Sequence, residues 1–340
     1  MSARLQHLGW DESWSAHSTD DPQLRPARVA RTDRGRCVVH TGEGTEHAAL
    51  SPGLSPAPTT GDWVLLDAAG TVTSVLPRRT TVIRGAGRND ARGQVLATNV
   101  DVLFVVSALS QAPNLSRLER LLTLAWESGA TPVVLLTKAD LANDPQADRA
   151  EAAVAAPGVD VIVASVIDGQ GLEDVRNALP AGRTGALIGP SGSGKSSLVN
   201  ALAGEEILTT TDIRADGKGR HTSTARELVP MPWGALLLDT PGLRGVQIWD
   251  AAAGIEQTFS DIEVLATSCR FGDCTHHGEP GCAVAVAVAD GGLSARRLAS
   301  YEKLLREQAW LAGRYDARLR AEQRRVWKVR TKASRQRPAR

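Results

Sequence analysis

The sequence is short of cysteine, has no long apolar run, no excess of one charge and no internal repeat. Each absence excludes a class. Four cysteines in 340 residues do not make a disulfide-stapled secreted scaffold. The apolar runs Val102–Leu109 and Cys282–Ala289 fall far below the ~18–20 residues that a bilayer-spanning helix needs. Met1–Gly9 carries no apolar core of a secretory signal, so a cytoplasmic protein is expected. Lys plus Arg is 39 against 38 Asp plus Glu, so overall charge names no partner. The charge is uneven along the chain, however. From Arg314 to Arg340 there are eleven basic and two acidic residues, a local charge of +9, which leaves −8 for the rest. A basic tail on an acidic body suggests contact with a polyanion, the alternative being a solvated tail.

What remains is an ordinary globular composition, 42% hydrophobic and 23% charged, at a length that suits two or three domains. Residues 1–23 are polar apart from Trp10 and Trp14 and are expected to form a mobile arm or a loosely docked segment. Residues 24–82 alternate short β-type runs (Arg36–His40, Asp62–Leu66, Thr71–Leu76) with turn residues, the pattern of a small barrel or sandwich. Residues 83–99 read as a basic linker. Over 100–250, the apolar runs Val102–Leu109, Pro132–Leu136, Val159–Ala164, Gly185–Ile188 and Ala235–Leu238 alternate with helical stretches. Runs apolar at every position suit parallel strands buried on both faces, so this region is read as an α/β domain. Residues 251–313 are helical around a Cys/His cluster and close with a helix over Ser294–Arg314; 314–340 form the tail.

Gly189-Pro190-Ser191-Gly192-Ser193-Gly194-Lys195-Ser196, followed by Ser197, fits the phosphate-loop pattern GxxxxGK[ST] between an apolar strand and a helix. The glycines let backbone N–H groups turn toward a phosphate, and the helix N-terminus adds positive potential. Lys195 would reach the β- and γ-phosphates as the catalytic cation, and Ser196 offers a hydroxyl to Mg²⁺. Asp239-Thr240-Pro241-Gly242 follows a further apolar strand. Asp239 suits Mg²⁺ held through water, and Gly242 suits a γ-phosphate N–H contact.

Thr137-Lys138-Ala139-Asp140 resembles the NKxD element that reads guanine. The Asp140 carboxylate can accept from N1–H and the 2-amino group of guanine, donors that adenine lacks. Thr137 in place of Asn removes an amide that would brace the loop. Ala164-Ser165, with Gly169-Gln170-Gly171-Leu172, resembles the second base-closing loop. The base-reading loop precedes the phosphate loop and DTPG, the reverse of the ordinary order, so the nucleotide fold is circularly permuted. The segment after DTPG then leads straight into the metal region, and its movement would push on that region. Gly217–Thr224 is the candidate switch loop, with Thr222 or Ser223 as a Mg²⁺ ligand. Leu243 stands where a water-orienting Gln often sits, so intrinsic hydrolysis should be slow, and His221 is the candidate for orienting water.

Cys269, Cys274 and Cys282 with His276 supply three thiolates and an imidazole at spacings that suit a closed structural Zn²⁺ site; spacing leaves His277 as an alternative ligand. The intervening loop is poor in apolar residues, so the metal is expected to fold it.

Taken in order, TKAD, GPSGSGKSS, GKGRHTST, DTPG and CRFGDCTHHGEPGC resemble the RsgA family of circularly permuted bacterial GTPases, over roughly Arg28 to Leu311. The resemblance implies a multi-domain α/β protein with an N-terminal OB-type β-barrel. It further implies a central circularly permuted P-loop GTPase domain with a mostly parallel sheet, and a C-terminal helical zinc-binding domain. It implies His276 rather than His277 on the zinc. It also implies a cytoplasmic monomer that hydrolyses GTP in late maturation of the small ribosomal subunit, is stimulated by that subunit, and binds its rRNA. The departures are Thr137, Ser223 in a run that is often all Thr, and the long tail. An OB-type barrel offers a surface to RNA, and Trp327 among Arg324, Arg325, Lys328 and Arg330 suits phosphate contacts and one stacking ring.

Overall fold

The computed structural model describes residues 2–17, 21, 23–85, 93–208, 226–239 and 251–312. Helices α1 (Ala3–His7) and α2 (Glu12–Ser15) come first, the second capped by the Asp11 carboxylate on Ser13 and Trp14 N–H. Strands β1 (Arg25–Asp33), β2 (Arg36–His40), β3 (Thr45–Leu50), β4 (Trp63–Leu66) and β5 (Thr71–Val75) close into a barrel in the order β1-β2-β3-β5-β4. All neighbours are antiparallel except β3 with β5. This is the OB-type connectivity, filled by Val29, Val39, Val64, Leu66 and Val72.

Of the two arrangements expected for the arm, its described part shows the docked one: Trp10 and Trp14 are buried, and their rings lie 4.7 and 6.2 Å from that of Trp63 on β4. Burying each large apolar side chain contributes about 1.5–3 kcal/mol toward the cost of ordering these two short helices. The expected linker is also structured at both ends. Strand β6 (Thr81–Arg84) pairs antiparallel with β7 (Gln94–Thr98), and Val82, Leu96 and Ala97 are buried.

The central domain runs β8 (Val102–Ala108), α3 (Leu115–Glu127), β9 (Thr131–Thr137), α4 (Pro145–Ala155), β10 (Asp160–Val163), α5 (Leu172–Ala178), β11 (Thr184–Ile188), α6 (Lys195–Ala203), β12 (Glu227–Pro230) and β13 (Leu236–Asp239). The sheet order is β10-β9-β8-β11-β13-β12. Every pairing is parallel except β12 with β13, and β11 is buried at all five positions. The continuous apolar runs thus became the two-faced buried strands that their pattern requires.

The C-terminal region has α7 (Ala252–Thr258), α8 (Ser260–Ala266), α9 (Ala283–Ala289) and a last helix, α10, described over 295–312. Its core is Ile255, Phe259, Ile262, Val284, Leu293, Tyr301 and Leu304. Helix α7 lies directly on α3. A Cβ at Gly254 would stand 2.2 Å from the Thr123 carbonyl oxygen, so only glycine permits the approach. Buried Arg297 fastens the junction, donating to Asp261 at 2.7 Å, to Glu119 of α3 at 3.0 Å, and to the Ala155 and Thr258 carbonyls.

Candidate nucleotide site and metal centre

Strand β11 delivers the phosphate loop to the carboxyl edge of the sheet, where open α/β sheets place ligands. Gly189 crosses β8 so closely that a Cβ would meet the Val106 carbonyl oxygen at 2.4 Å. Gly194 caps α6 in the left-handed region, and the N–H groups of the first helical turn face the loop. The buried Lys195 ammonium folds over the loop and donates to the Gly189 and Pro190 carbonyls at 3.0 and 2.8 Å. Ser196 and Ser197 occupy the first turn of α6, half-buried, and Ser191 and Gly192 are exposed at the loop tip. The arrangement presents a cation and a row of donors to one anion.

The base-reading loop stands beside it, at the end of β9. The Thr137 hydroxyl donates to the Ser193 carbonyl of the phosphate loop at 2.7 Å. The brace expected to be lost with asparagine is therefore supplied by the threonine hydroxyl. Lys138 takes φ 58° and enters a 3-10 turn over Ala139–Leu141, leaving Asp140 exposed. Buried Ser165 donates its hydroxyl to Asp140 Oδ1 at 2.7 Å, while its own N–H donates to the Gln170 carbonyl at 3.0 Å. The second loop thus aims the carboxylate. Asp239 ends β13 opposite Leu187 of β11, one strand from the phosphate loop. His221, Thr222, Ser223, Gly242, Leu243 and the tail from 314 lie outside the described residues.

The candidate metal ligands converge from the segment after α8 and the start of α9. The ligand atoms of Cys269, Cys274, His276 and Cys282 all lie within 4.8 Å of one another. Cys269 Sγ is 3.9 Å from Cys282 Sγ and 3.7 Å from His276 Nδ1. Zn–S and Zn–N bonds in a tetrahedron place such atoms about 3.8 and 3.6 Å apart, so the donor set fits zinc. His277 is excluded by geometry: it turns outward, with Nδ1 3.5 Å from Glu302. Glu279 was not singled out in the sequence, yet it organises the loop. Its carboxylate accepts from the Thr275 hydroxyl, Thr275 N–H and His277 N–H, which holds its pKa down at about 2. The one sequence signal for it was an acid inside the ligand loop.

The profile of the RsgA GTPase family matches residues 75–249. The small ribosomal subunit biogenesis GTPase RsgA of Streptomyces avermitilis is 48% identical over 337 residues, covering 95% of this chain and 91% of that protein. The protein of the same name from Streptomyces coelicolor is 46% identical, covering 96% and 92%. In fold the chain is similar to YjeQ from Thermotoga maritima, with a TM-score of 0.61 at 23% identity over 84% of this chain and 98% of that one. YloQ, a circularly permuted GTPase, gives 0.59 at 23% identity over 85% and 97%.

Proposed function

Because the chain belongs to the RsgA GTPase family, we propose that it hydrolyses GTP as a late maturation factor of the small ribosomal subunit, stimulated by that particle and released after turnover. The observation that carries the reading is the Thr137–Ser193 bond, which fixes a guanine-reading loop against a phosphate loop at one edge of the sheet. In this reading Lys195 holds the β- and γ-phosphates, and the α6 N-terminus and loop N–H groups bind phosphate oxygens. Asp140, aimed by Ser165, selects guanine. Mg²⁺, held by Ser196 and through water by Asp239, would neutralise charge developing on the phosphates. The switch hydroxyls Thr222 and Ser223, the Gly242 N–H and the water-orienting role of His221 belong to the same proposal. So do a structural zinc on the four Cys/His ligands, a monomeric state, a cytoplasmic site of action and rRNA contacts through the barrel and tail. None of the described helices is long and apolar enough to cross a membrane.

The deciding experiment is phosphate release from GTP by the purified protein alone, with small subunits, and with large subunits. Stimulation by small subunits alone is expected; equal rates in all three would overturn the choice of target. Two finer outcomes follow from the site. ADP should not displace GDP. Ser165→Ala should weaken GDP about tenfold, because a hydrogen bond to a charged group is worth about 1.5–3 kcal/mol and the exposed Asp140 places it at the low end. Unchanged GDP affinity in a calorimetric titration would remove the aiming role from Ser165.

A further inference from the structure

At the amino ends of β8 and β11, on the opposite edge of the sheet from the phosphate loop, a cleft of about 240 Å³ opens between the arm, the barrel and the central domain. Arg28, Arg79 and Arg183 line it together with Asp11 and Asp101. The charges do not balance. Asp11 is taken by Arg79 at 2.8 Å. Asp101 is taken by Arg183 at 2.8 Å and by the Thr184 N–H at 2.8 Å. Asp62, the other carboxylate near Arg28, is taken by both arms of the Arg78 fork at 2.8 Å. Three carboxylates thus serve three arginines, and the fourth arginine is left over.

That fourth cation is the buried one. Arg28 is 2% exposed. Its guanidinium reaches only neutral acceptors, the Leu8 and Asn99 carbonyls and the Thr184 hydroxyl, and its Nε has no hydrogen-bond partner among the described residues. Its plane lies over the Trp63 ring at 5.0 Å. Burial without a carboxylate pushes its pKa down to about 10. A buried cation with no counter-charge is costly, and an anion entering beside it would offset that cost. Planar guanidinium forks arranged around one space suit an anion with several oxygens.

We propose that this cleft is an oxyanion site, with phosphate or a phosphate ester as ligand, formed by Arg28 at its base and Arg79 and Arg183 at its rim. It is separate from the nucleotide site and would bind with that site filled. Its occupant would tie together the arm (through Arg79 and Asp11), the barrel (through Arg28) and the central domain (through Arg183).

The test is calorimetric titration of inorganic phosphate into the full chain loaded with a non-hydrolysable GTP analogue and Mg²⁺, which fills the β- and γ-phosphate positions, at an ionic strength held constant with chloride. One saturable site is expected. Arg183→Gln, at a side chain more than half exposed, should keep the parent melting temperature within a few degrees and weaken phosphate about tenfold. Arg117→Gln, on the exposed start of α3, should leave it unchanged. Arg28→Met should abolish it, but Arg28 also joins three segments, so the rim variant carries the decision. Absence of phosphate binding at millimolar concentration would overturn the proposal. So would binding that Arg183→Gln leaves intact, which would place the ion elsewhere. If a short single-stranded RNA competes with phosphate for the site, the natural source is an RNA backbone; if phosphate binds equally with RNA saturating, it is a soluble phosphate.

Discussion

Replacing Lys195 by alanine is expected to lower the rate of phosphate release at least about a hundredfold, with and without small ribosomal subunits. Removing one preorganised group that stabilises developing charge costs about 10²–10³ in rate, and Lys195 is the cation that the phosphate loop folds around itself. The fold should survive. Lys195 is 8% exposed and bonded to neutral carbonyls, so removing the charge also removes its desolvation cost. Lys195→Arg should not rescue, because the longer planar fork does not fit a loop in which Gly189 already lies against the Val106 carbonyl. Circular dichroism should show native helix content and melting within a few degrees of the parent. A Lys195→Ala protein that turns over at the parent rate would remove the phosphate loop from the mechanism.

The second large effect concerns the metal centre. Cys282→Ser should cut bound zinc from one equivalent to less than a tenth and unfold the ligand loop. Cys282 has two jobs: its thiol lies among the ligand atoms, and its sulfur accepts the Ala285 N–H at the start of α9. Serine is a good N-cap, so this variant keeps the cap and removes the ligand. Structural zinc contributes about 10–16 kcal/mol to folding in isolated peptides. A smaller share is expected here, because Phe259, Ile262, Val284 and Tyr301 form an apolar core. The ligand loop has no such core. Atomic absorption should report the lost zinc. Hydrogen exchange should show deprotection over 269–282, with α3 and the central sheet unaffected. Full protection of that loop after complete zinc removal would show that the metal is dispensable for its fold.

These two sites were legible because their information is local. The phosphate loop, the TKAD loop and the cysteine spacing are each contiguous or nearly so, and their chemistry follows from residue type and order. The circular permutation was legible for the same reason, as an order of motifs along the chain. Strand β12 was not foreseen: Glu227–Pro230 is a four-residue edge strand ending in proline, too short to show a period. The Thr137–Ser193 bond was not legible because the acceptor of the hydroxyl, the Ser193 carbonyl, lies 56 positions away.

The segment after DTPG was expected to push on the metal region. That segment, 240–250, lies outside the described residues; the metal region itself is tied to α3, through Gly254 against Thr123 and Arg297 against Glu119. Breaking such a buried ion pair costs about 3–5 kcal/mol, so displacement of the C-terminal helices relative to α3 is opposed.

The sequence by itself determined the class of each site: a phosphate cradle, a guanine-reading carboxylate, a Cys₃His cluster, parallel buried strands and a small barrel. Tertiary structure decided how these parts are joined. It docked Trp10 and Trp14 on Trp63, chose His276 over His277, bolted α7 to α3, and left Arg28 buried without a carboxylate. The physical reason is the range of the interactions. Turn geometry, capping and ligand spacing act over a few residues, whereas burial and ion pairing depend on which distant segments the fold brings into contact.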